Sequence, residues 1–309
     1  MTRAFVFPGQ GAQSIGMGQA LARAYPAARA VFDEVDAALD EKLSALIWEG
    51  AIEDLTLTAN AQPALMATSL AAMRALEAEG FAVTDAAYVA GHSLGEYSAL
   101  AAAGALSIAD TARLLRIRGR AMQQAVPVGN GAMAALLGLD LAAAAAVAAE
   151  AAQGEVCQAA NDNDPAQVVV SGNRAAVERA VELAKAKGAK RAVMLPVSAP
   201  FHCALMQPAA EAMQAALAEV EIRAPRVPLV ANVRAEAVEA PDTIRALLVE
   251  QVTGVVRWRE SVEWMIAREV DTFWEIGAGK ALSGMIRRID RAAVVHAVGN
   301  PEDIAALKG

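Results

Sequence analysis

The segment Gly91-His92-Ser93-Leu94-Gly95 has the form Gly-x-Ser-x-Gly, which is typical of serine nucleophiles. An apolar segment, 88–90, precedes it, and a helical segment of small residues, 97–103, follows it. A serine on such a strand-to-helix turn exposes its hydroxyl, and the flanking glycines tolerate a strained backbone and let a second segment approach. The helix that begins at about Leu94 offers free N–H groups where an acyl oxyanion would form. The pattern predicts that Ser93 is a nucleophile.

A serine nucleophile needs a general base that is neutral near pH 7, and this base is usually a histidine. Of the 3 histidines, His202 follows Ser198-Ala199-Pro200-Phe201 and is expected to open a helix that runs to about Leu217. The dipole at a helix N-terminus disfavours imidazolium and would keep the ring ready to accept a proton. We therefore predict His202 as the base, and the alternative is a first-turn histidine that faces solvent.

The other candidates near the serine and the base receive lesser roles. His92 points to the opposite face of an extended segment from Ser93 and suits a supporting role. His296 lies in a late apolar strand, as expected of a packed or edge histidine. Cys203 is predicted to pack rather than react, since consecutive helical residues diverge by about 100°. No carboxylate stands out as the partner of His202, so a backbone carbonyl or a side-chain amide remains open for that role.

A second source of oxyanion donors follows the first predicted strand, 3–7. Gln10 lies in the glycine-rich turn 8–11 that ends this strand. Because the carboxyl ends of parallel strands meet at one edge of a sheet, the Gln10 N–H is a candidate to join that of Leu94 in an oxyanion hole. An ordinary tight turn is the alternative.

The predicted helix from the N-cap Ser107 to about Gln124 carries four arginines, which helical geometry separates. Three of them share one stripe, the solvated face of a surface helix: Arg113, Arg116 and Arg120. Arg118 falls on the opposite, apolar face, where an unpaired guanidinium is costly. Two partners fit Arg118: an internal Asp or Glu in a salt bridge, or a substrate carboxylate held by both guanidinium nitrogens.

The elements that must position these residues predict an α/β fold. Helices are expected at 18–39, with a break near Pro26, and at 63–79, and a linker at 126–131. A β-α-β-β-α-β order, the ferredoxin-like arrangement, follows at 132–137, 140–153, 156–160, 167–171, 174–187 and 190–196. Further strands are expected near 228–231, 271–276 and 293–298. We therefore predict a small subdomain, 128–196, inserted in a large α/β subdomain formed by 1–127 and 197–309, with a binding cleft between them.

Composition limits the class of protein. The chain has 309 residues, of which 56% are hydrophobic, and a net charge of −8, so it affords a large core and is unsuited to nucleic acid. It shows no membrane-spanning segment and no signal peptide. The cysteines, Cys157 and Cys203, favour a reducing compartment over a disulfide scaffold. We expect a cytoplasmic protein that does not bind membranes.

Together these motifs resemble the malonyl-CoA:acyl carrier protein transacylase family of bacterial type II fatty acid synthesis, almost from end to end. The segments that carry the resemblance are 7–13, 62–65, 91–97, 118–122, 163–169, 198–202, 256–258 and 275–280. They include Phe7-Pro8-Gly9-Gln10-Gly11-Ala12-Gln13, Gly91-His92-Ser93-Leu94-Gly95-Glu96-Tyr97 and Ser198-Ala199-Pro200-Phe201-His202. The family implies an α/β-hydrolase-like large subdomain with a parallel sheet.

The resemblance implies ping-pong transfer of malonyl from malonyl-CoA to the phosphopantetheine thiol of acyl carrier protein, with no metal or organic cofactor. It implies a Ser93–His202 dyad whose histidine is oriented by the carbonyl of Gln251, and an oxyanion hole from the Gln10 and Leu94 amides. The implied substrate-site residues are Arg118, which binds the malonyl carboxylate, and the supporting Gln62, His92, Asn163 and Gln251.

Local sequence also bears on the substrate and the partner. The Phe201-His202 pair is the form that selects malonyl in this family, rather than methylmalonyl. Asp164 departs from the usual serine and adds a negative charge near the cleft, which bears on the role of the Asn163 loop. Lys187, Lys190 and Arg191 are candidates to bind the carrier protein or coenzyme A phosphates, and an ordinary solvated turn is the alternative. We expect a monomer.

Four other functions are alternatives to this one. A serine thioesterase or esterase of α/β-hydrolase type predicts hydrolysis of the acyl-enzyme and a carboxylate partner for His202. A dinucleotide site at Gly277-Ala278-Gly279 lacks its third glycine, because Leu282 occupies that position. A non-enzymatic binding module requires a buried Ser93. A polyketide acyltransferase would share the chemistry, but the chain shows no fused carrier segment.

Overall fold

The structure is a computed structural model that describes residues 2–308. The strands are β1 (Thr2–Phe7), β2 (Tyr88–Gly91), β3 (Gly131–Leu137), β4 (Cys157–Asp164), β5 (Gln167–Asn173), β6 (Arg191–Met194), β7 (Leu229–Ala231), β8 (Glu236–Val238), β9 (Val270–Ile276) and β10 (Val294–Val298). The helices are α1 (Gln19–Ala24), α2 (Pro26–Leu39), α3 (Leu43–Glu49), α4 (Ile52–Thr56), α5 (Thr58–Ala78), α6 (Gly95–Ala102), α7 (Ile108–Ala125), α8 (Leu141–Ala152), α9 (Arg174–Ala186), α10 (Gln207–Ala218), α11 (Pro241–Glu250), α12 (Trp258–Ile266), α13 (Ala281–Ile289) and α14 (Pro301–Ala306).

The larger sheet has the order β10-β9-β1-β2-β7-β8, and all its neighbouring pairs are parallel except β7 with β8. Strand β1 is central and fully buried over its last four residues, as expected for a strand covered on both faces. The turns after β1, β2 and β7 therefore open at one edge of the sheet, where the nucleophile turn lies. The sequence did not predict β8, because its three residues give too short a pattern.

The smaller sheet is antiparallel, with the order β4-β5-β3-β6, and α8 and α9 pack against it. Its elements follow the predicted β-α-β-β-α-β order. Strand β4 extends four residues beyond the predicted end at 160, through Asn161-Asp162-Asn163-Asp164, with two register irregularities. This polar run continues as a strand because its buried side chains find partners on other elements, as described below. The prediction of an α/β protein with a parallel sheet and a separate second sheet is confirmed.

The helix around Pro63 and the orientation of Arg116 differ from prediction for a shared reason. Helix α5 begins at Thr58 rather than Pro63, so the proline lies inside the helix. Proline has no N–H to donate to the carbonyl four residues earlier, that of Ala59. The Arg116 Nη1 donates to that carbonyl instead, at 2.6 Å. Arg116 is accordingly 5% exposed and lies in no solvated stripe, which corrects its predicted exposure.

Other helix boundaries follow the sequence. The segment 18–39 breaks at Tyr25, before Pro26, into α1 and α2. Ser107 caps α7 by accepting a hydrogen bond from the Asp110 N–H at 3.0 Å. No helix among residues 2–308 is long and apolar enough to cross a membrane.

Candidate active site

Ser93 lies on the turn between β2 and α6 with a left-handed backbone, φ 53°. Strain of this kind in a non-glycine residue costs about 1–3 kcal/mol and is typical of functional sites. The flanking glycines are required for space: a Cβ on Gly91 would lie 1.9 Å from the Gly95 carbonyl carbon, and one on Gly95 would lie 2.2 Å from the Phe7 oxygen. The predicted strain thus falls on the serine itself, and the glycines allow β2, α6 and the end of β1 to meet.

His202 contacts the serine directly. Its Nε2 lies 2.8 Å from Ser93 Oγ, and its Nδ1 lies 2.8 Å from the Gln251 main-chain oxygen. Because a carbonyl only accepts, this network assigns the hydrogen to Nδ1 and leaves Nε2 to accept the serine proton. The partner of the imidazole is therefore a backbone carbonyl, one of the groups that sequence reasoning left open.

The backbone around His202 corrects the predicted helix N-terminus. His202 has φ 58° and lies in a loop, since a short 3₁₀ turn begins at Ala204 and α10 begins at Gln207. The imidazole nevertheless stays neutral for another reason. Burial, together with the nearby positive charge of Arg118, lowers the pKa of His202 from 6.5 to about 3. Cys203 is buried and its Sγ donates to the Pro200 carbonyl, so it packs, as predicted, though outside a helix.

Arg118 projects from α7 into the site and is 1% exposed. Its Nη1 donates to Gln62 Oε1 at 2.8 Å, and its Nη2 donates to Gln251 Oε1 at 2.8 Å and to Ser93 Oγ at 3.1 Å. Within residues 2–308 no Asp or Glu oxygen is at ion-pairing distance from this guanidinium. One of the two predicted partners of Arg118, an internal Asp or Glu in a salt bridge, is therefore not found in the described part of the chain. A cation without a paired anion adjoins the candidate nucleophile.

Two residues that line the cavity together with the serine, Gln10 and Leu94, lie in different turns. The Gln10 side chain is held by a hydrogen bond from its Nε2 to Thr58 Oγ1 at 3.2 Å. Neither the Gln10 N–H nor the Leu94 N–H donates to another group of residues 2–308. Both residues line the same cavity as Ser93. Two free donors at the end of β1 and the start of α6 suit a developing oxyanion.

His92, which follows β2 of the larger sheet, and Asn163, on β4 of the smaller sheet, support the site together. The His92 Nε2 lies 2.8 Å from Asn163 Oδ1, across the two sheets. Burial lowers the pKa of His92, and the bond to Asn163 opposes that shift. Asp164 points elsewhere: its Oδ2 pairs with Arg288 Nε at 2.7 Å and it is 1% exposed. The negative charge that was predicted near the cleft is thus paired with an arginine.

Two residues that sequence reasoning missed hold the serine turn. Asn232, which follows β7, accepts from the Ser93 N–H at 2.8 Å through Oδ1 and donates to the Gly91 carbonyl at 2.7 Å. Glu96 is buried in the first turn of α6 and accepts from Gln251 and Asn232. A signal for Glu96 was available, since it is the one charged residue in an otherwise small or apolar helix.

A cavity of about 440 Å³ lies at the junction of the two sheets. Its walls include the predicted residues Gln10, Gln62, His92, Ser93, Leu94, Arg118 and His202. The smaller sheet and the segment that follows it contribute Met133, Asn161, Leu195 and Pro196. Asn163 and Gln251 lie behind this surface and reach it through His92, His202 and Arg118. The cleft that was expected between the lobes is present, and a partly exposed Ser93 lines it.

Two remaining sequence features have structural explanations. Gly277 and Gly279 have φ 131° and 78°, and a Cβ on Gly277 would lie 2.3 Å from Ser69 Oγ, so close packing accounts for the glycines. His296 is exposed on the edge strand β10, as predicted. Lys187, one of the three basic residues predicted to bind the carrier protein or coenzyme A, pairs with Glu150.

The comparisons with known proteins agree with this geometry. The family model of the acyl transferase domain matches residues 4–296. The malonyl CoA-acyl carrier protein transacylase of Bacillus subtilis is 49% identical over 302 residues, which cover 97% of this chain and 94% of the relative. A crystal structure of acyl-carrier-protein-S-malonyltransferase from Bartonella henselae is similar with a TM-score of 0.97 and 58% identity, over 99% of this chain and 98% of that one.

A further solved structure is a malonyl-transacylase in complex with a type II PKS acyl-carrier protein. It matches with a TM-score of 0.96 and 41% identity, over 99% of this chain and 98% of that one. Fold and matched length together define a member of the acyl transferase domain family. Within that class, the chain belongs to the family of malonyl CoA-acyl carrier protein transacylases, so the resemblance found in the sequence is confirmed.

Proposed function

We propose that this chain transfers malonyl from malonyl-CoA to the phosphopantetheine thiol of acyl carrier protein, through an ester on Ser93. The names of its relatives and the carrier protein bound to its structural neighbour support these substrates. The observation that carries the proposal is the 3.1 Å contact of the Arg118 guanidinium with Ser93 Oγ, without a paired carboxylate in residues 2–308. A cation beside the nucleophile suits an acyl group that ends in a carboxylate.

The proposed reaction has two matched halves. Ser93 Oγ attacks the thioester carbonyl while His202 Nε2 takes its proton, and the tetrahedral intermediate then breaks the C–S bond. The imidazolium returns its proton to the departing coenzyme A thiolate. The pantetheine thiol next gives its proton to His202 and attacks the ester, and Ser93 leaves with that proton. These steps require no metal or organic cofactor.

Supporting residues divide by what they stabilise. The Gln251 carbonyl holds the His202 tautomer, and the Gln10 and Leu94 N–H groups bind the oxyanion. Arg118 binds the malonyl carboxylate, and Gln62 and Gln251 fix its guanidinium. His92 and Asn163 brace the wall of the cavity.

We also propose the finer architecture and setting. The parallel sheet with its serine turn supports an α/β-hydrolase-like large subdomain, 1–127 and 197–309. The strand order of the second sheet supports a ferredoxin-like insertion, 128–196. A monomer in the cytoplasm remains our expectation, to be tested by light scattering and cell fractionation.

Mass spectrometry of the acyl-enzyme tests the reaction. Incubation with malonyl-CoA should add one malonyl group to the peptide containing Ser93, and carrier protein that bears phosphopantetheine should remove it. Ser93→Ala should take no adduct, and His202→Ala should slow both halves by about 100-fold or more. An adduct on Ser93→Ala, or loss of malonyl to water as fast as to the thiol, would contradict the proposal. The second outcome would instead favour a thioesterase, whose expected carboxylate beside His202 is not found among the described residues.

A further inference from the structure

Glu96 is a carboxylate at the base of the site that the reaction above does not use. It is 1% exposed and has no ion pair within residues 2–308. Its Oε2 accepts two hydrogen bonds, from Gln251 Nε2 at 2.8 Å and from the Asn232 N–H at 3.1 Å. Because burial of a carboxyl costs free energy unless it is hydrogen-bonded, these two contacts offset the cost of burying Glu96.

The same two amide residues hold both ends of the strained serine. The Ser93 N–H donates to Asn232 Oδ1 at 2.8 Å, and the Ser93 carbonyl accepts from Gln251 Nε2 at 3.0 Å. A left-handed non-glycine residue persists only when its surroundings determine it. The conformation that presents the Ser93 hydroxyl therefore depends on how these amides are oriented.

Glu96 selects the orientation of the Gln251 amide. In the observed orientation Oε1 accepts from Arg118 at 2.8 Å, and Nε2 donates toward Glu96, the Ser93 carbonyl and Asn232 Oδ1. The reversed amide would put two donors together at Arg118 and four acceptor oxygens together on the other side. The Glu96 carboxyl oxygen is the strongest of these acceptors, and its repulsion of the Gln251 oxygen excludes the reversed orientation of the amide.

We propose that Glu96 is a positioning residue for acyl transfer, which orients Gln251 and Asn232 and, through them, the Ser93 turn and Arg118. Its action on Ser93 is independent of the acyl donor, whereas its action through Arg118 rests on the proposed function. What matters is an acceptor oxygen at the Oε2 position. Burial raises the pKa of Glu96 to about 7, against the bonds from Gln251 and Asn232 and the charge of Arg118, and both the acid and the carboxylate offer this oxygen.

Two variants of similar volume separate the acceptor from the packing. Glu96→Gln keeps an oxygen for both donors, and Glu96→Met removes it. Glu275→Met is the control, because Glu275 is an equally buried carboxylate whose hydrogen bonds within residues 2–308 come from the start of α13 and not from the site. If Glu96→Met does not fold, Glu96→Asp takes its place in the experiment, because the shorter side chain withdraws the acceptor oxygen by one methylene.

The measurement is the single-turnover rate constant of Ser93 modification by three reagents: malonyl-CoA, acetyl-CoA and phenylmethylsulfonyl fluoride. Because only folded molecules react, a lower reactive fraction reports instability, and the rate constant reports positioning. We expect Glu96→Met to lower all three rate constants by about 100-fold, the malonyl one most, since small misplacements of a nucleophile are costly. Glu96→Gln should stay within about threefold of wild type. Glu275→Met should lower the reactive fraction and leave the rate constants unchanged.

Either of two results would overturn the inference. One is a Glu96→Met rate constant equal to wild type with the sulfonyl fluoride, and the other is an equal loss in Glu96→Gln. A wild-type protein that reacts with the sulfonyl fluoride but takes no malonyl would refute the proposed function alone. In that case the sulfonyl fluoride comparison still decides the role of Glu96.

Discussion

His202, Arg118 and Glu96 are all buried around the Ser93 turn, so each charge there affects the others. Arg118 disfavours the imidazolium that His202 must form during the reaction, and no carboxylate behind the ring offsets it in the described chain. A bound malonyl carboxylate would supply the missing negative charge next to Arg118. We therefore expect the acyl donor itself to help His202 accept the proton.

The pH dependence of serine reactivity follows from the lowered pKa of His202. Since that pKa falls from 6.5 to about 3, the imidazole stays neutral as pH drops from 8 to 5. The rate of Ser93 modification by phenylmethylsulfonyl fluoride, a reagent with no titrating group, should therefore not fall through the usual histidine range. Glu96→Gln removes the carboxyl whose pKa is raised to about 7, so that only the histidine remains to be tested. A loss of rate below pH 6.5 in both proteins would show that the histidine pKa is ordinary.

Arg118→Ala tests the binding of the malonyl carboxylate. If the guanidinium pairs with that carboxylate, its removal leaves a charge buried and unpaired, at a cost of about 2–5 kcal/mol, or about 30- to 5000-fold in kcat/KM for malonyl-CoA. Acetyl-CoA lacks the carboxylate and should lose far less, so the ratio of the two values should move toward acetyl. Melting curves provide the control. Equal losses for both thioesters with a lower Tm would indicate a scaffolding arginine.

The turn that presents Ser93 carries its own conformational cost, which a pair of inactive variants measures. Ser93→Ala keeps a Cβ on a residue with φ 53°. Ser93→Gly removes that Cβ, and glycine adopts this left-handed conformation freely. We expect Ser93→Gly to be the more stable by about 1 kcal/mol in urea unfolding. If the alanine variant is equally or more stable, the turn stores no strain.

Local pattern explains most of the elements, and cross-chain contacts explain the rest. Periodicity and caps predict the order of strands and helices, such as the break at Pro26 and the cap at Ser107. The start of α5 escaped prediction because Arg116, far along the chain, satisfies the carbonyl that Pro63 leaves free. The local sequence predicts a helix at His202, but its position in a loop goes with its contacts to Ser93 and Gln251 on other elements.

The site was predictable where residue type implies chemistry and obscure where it depends on packing. Ser93, His202, Arg118 and the two amides follow from motif, resemblance and strand ends. Asn232 and Glu96 do not, because their function comes from bonds to residues on other elements. The polar half of β4 likewise requires arginines that only the folded molecule brings near.

At the scale of the molecule, ion pairs link the two sheets. Asp162 and Asp164 of β4 are buried and pair with Arg259 of α12 and Arg288 of α13, at 2.9 and 2.7 Å. Arg288→Ala leaves the Asp164 carboxylate without its cation, whereas Asp164→Ser removes the charge. Because Arg288 is half exposed and its attraction is screened, we expect Arg288→Ala to be the less stable by only about 1 kcal/mol in urea unfolding.

The double variant completes this prediction. Asp164→Ser with Arg288→Ala should be more stable than Arg288→Ala alone, because no unpaired carboxylate remains. If Asp164→Ser instead destabilises as much as Arg288→Ala, the pair itself, rather than the burial of its anion, stabilises the docking of the sheets.

We expect the proposed carrier protein to be acidic, and this chain carries a net charge of −8, so docking requires a local basic surface. Lys190 and Arg191 are exposed and have no carboxylate partner among residues 2–308, unlike Lys187. From Arg191, β6 leads to the cavity at Leu195, about 13 Å away at strand spacing. Reversing both charges should raise the KM for carrier protein, less so at high salt, and leave the KM for malonyl-CoA unchanged. An unchanged KM for carrier protein would place docking elsewhere.

The walls of the cavity come from two parts of the chain. Ser93 and His202 come from segments before and after the smaller sheet in the chain, and Met133, Asn161 and Leu195 come from that sheet or the segment that follows it. Substitutions at Met133 or Leu195 can therefore reshape the wall that an acyl group meets while Ser93 and His202 are kept. They would also leave in place Arg118 of α7, the proposed partner of the malonyl carboxylate, so the room around the acyl group and the recognition of its charge come from different parts of the chain.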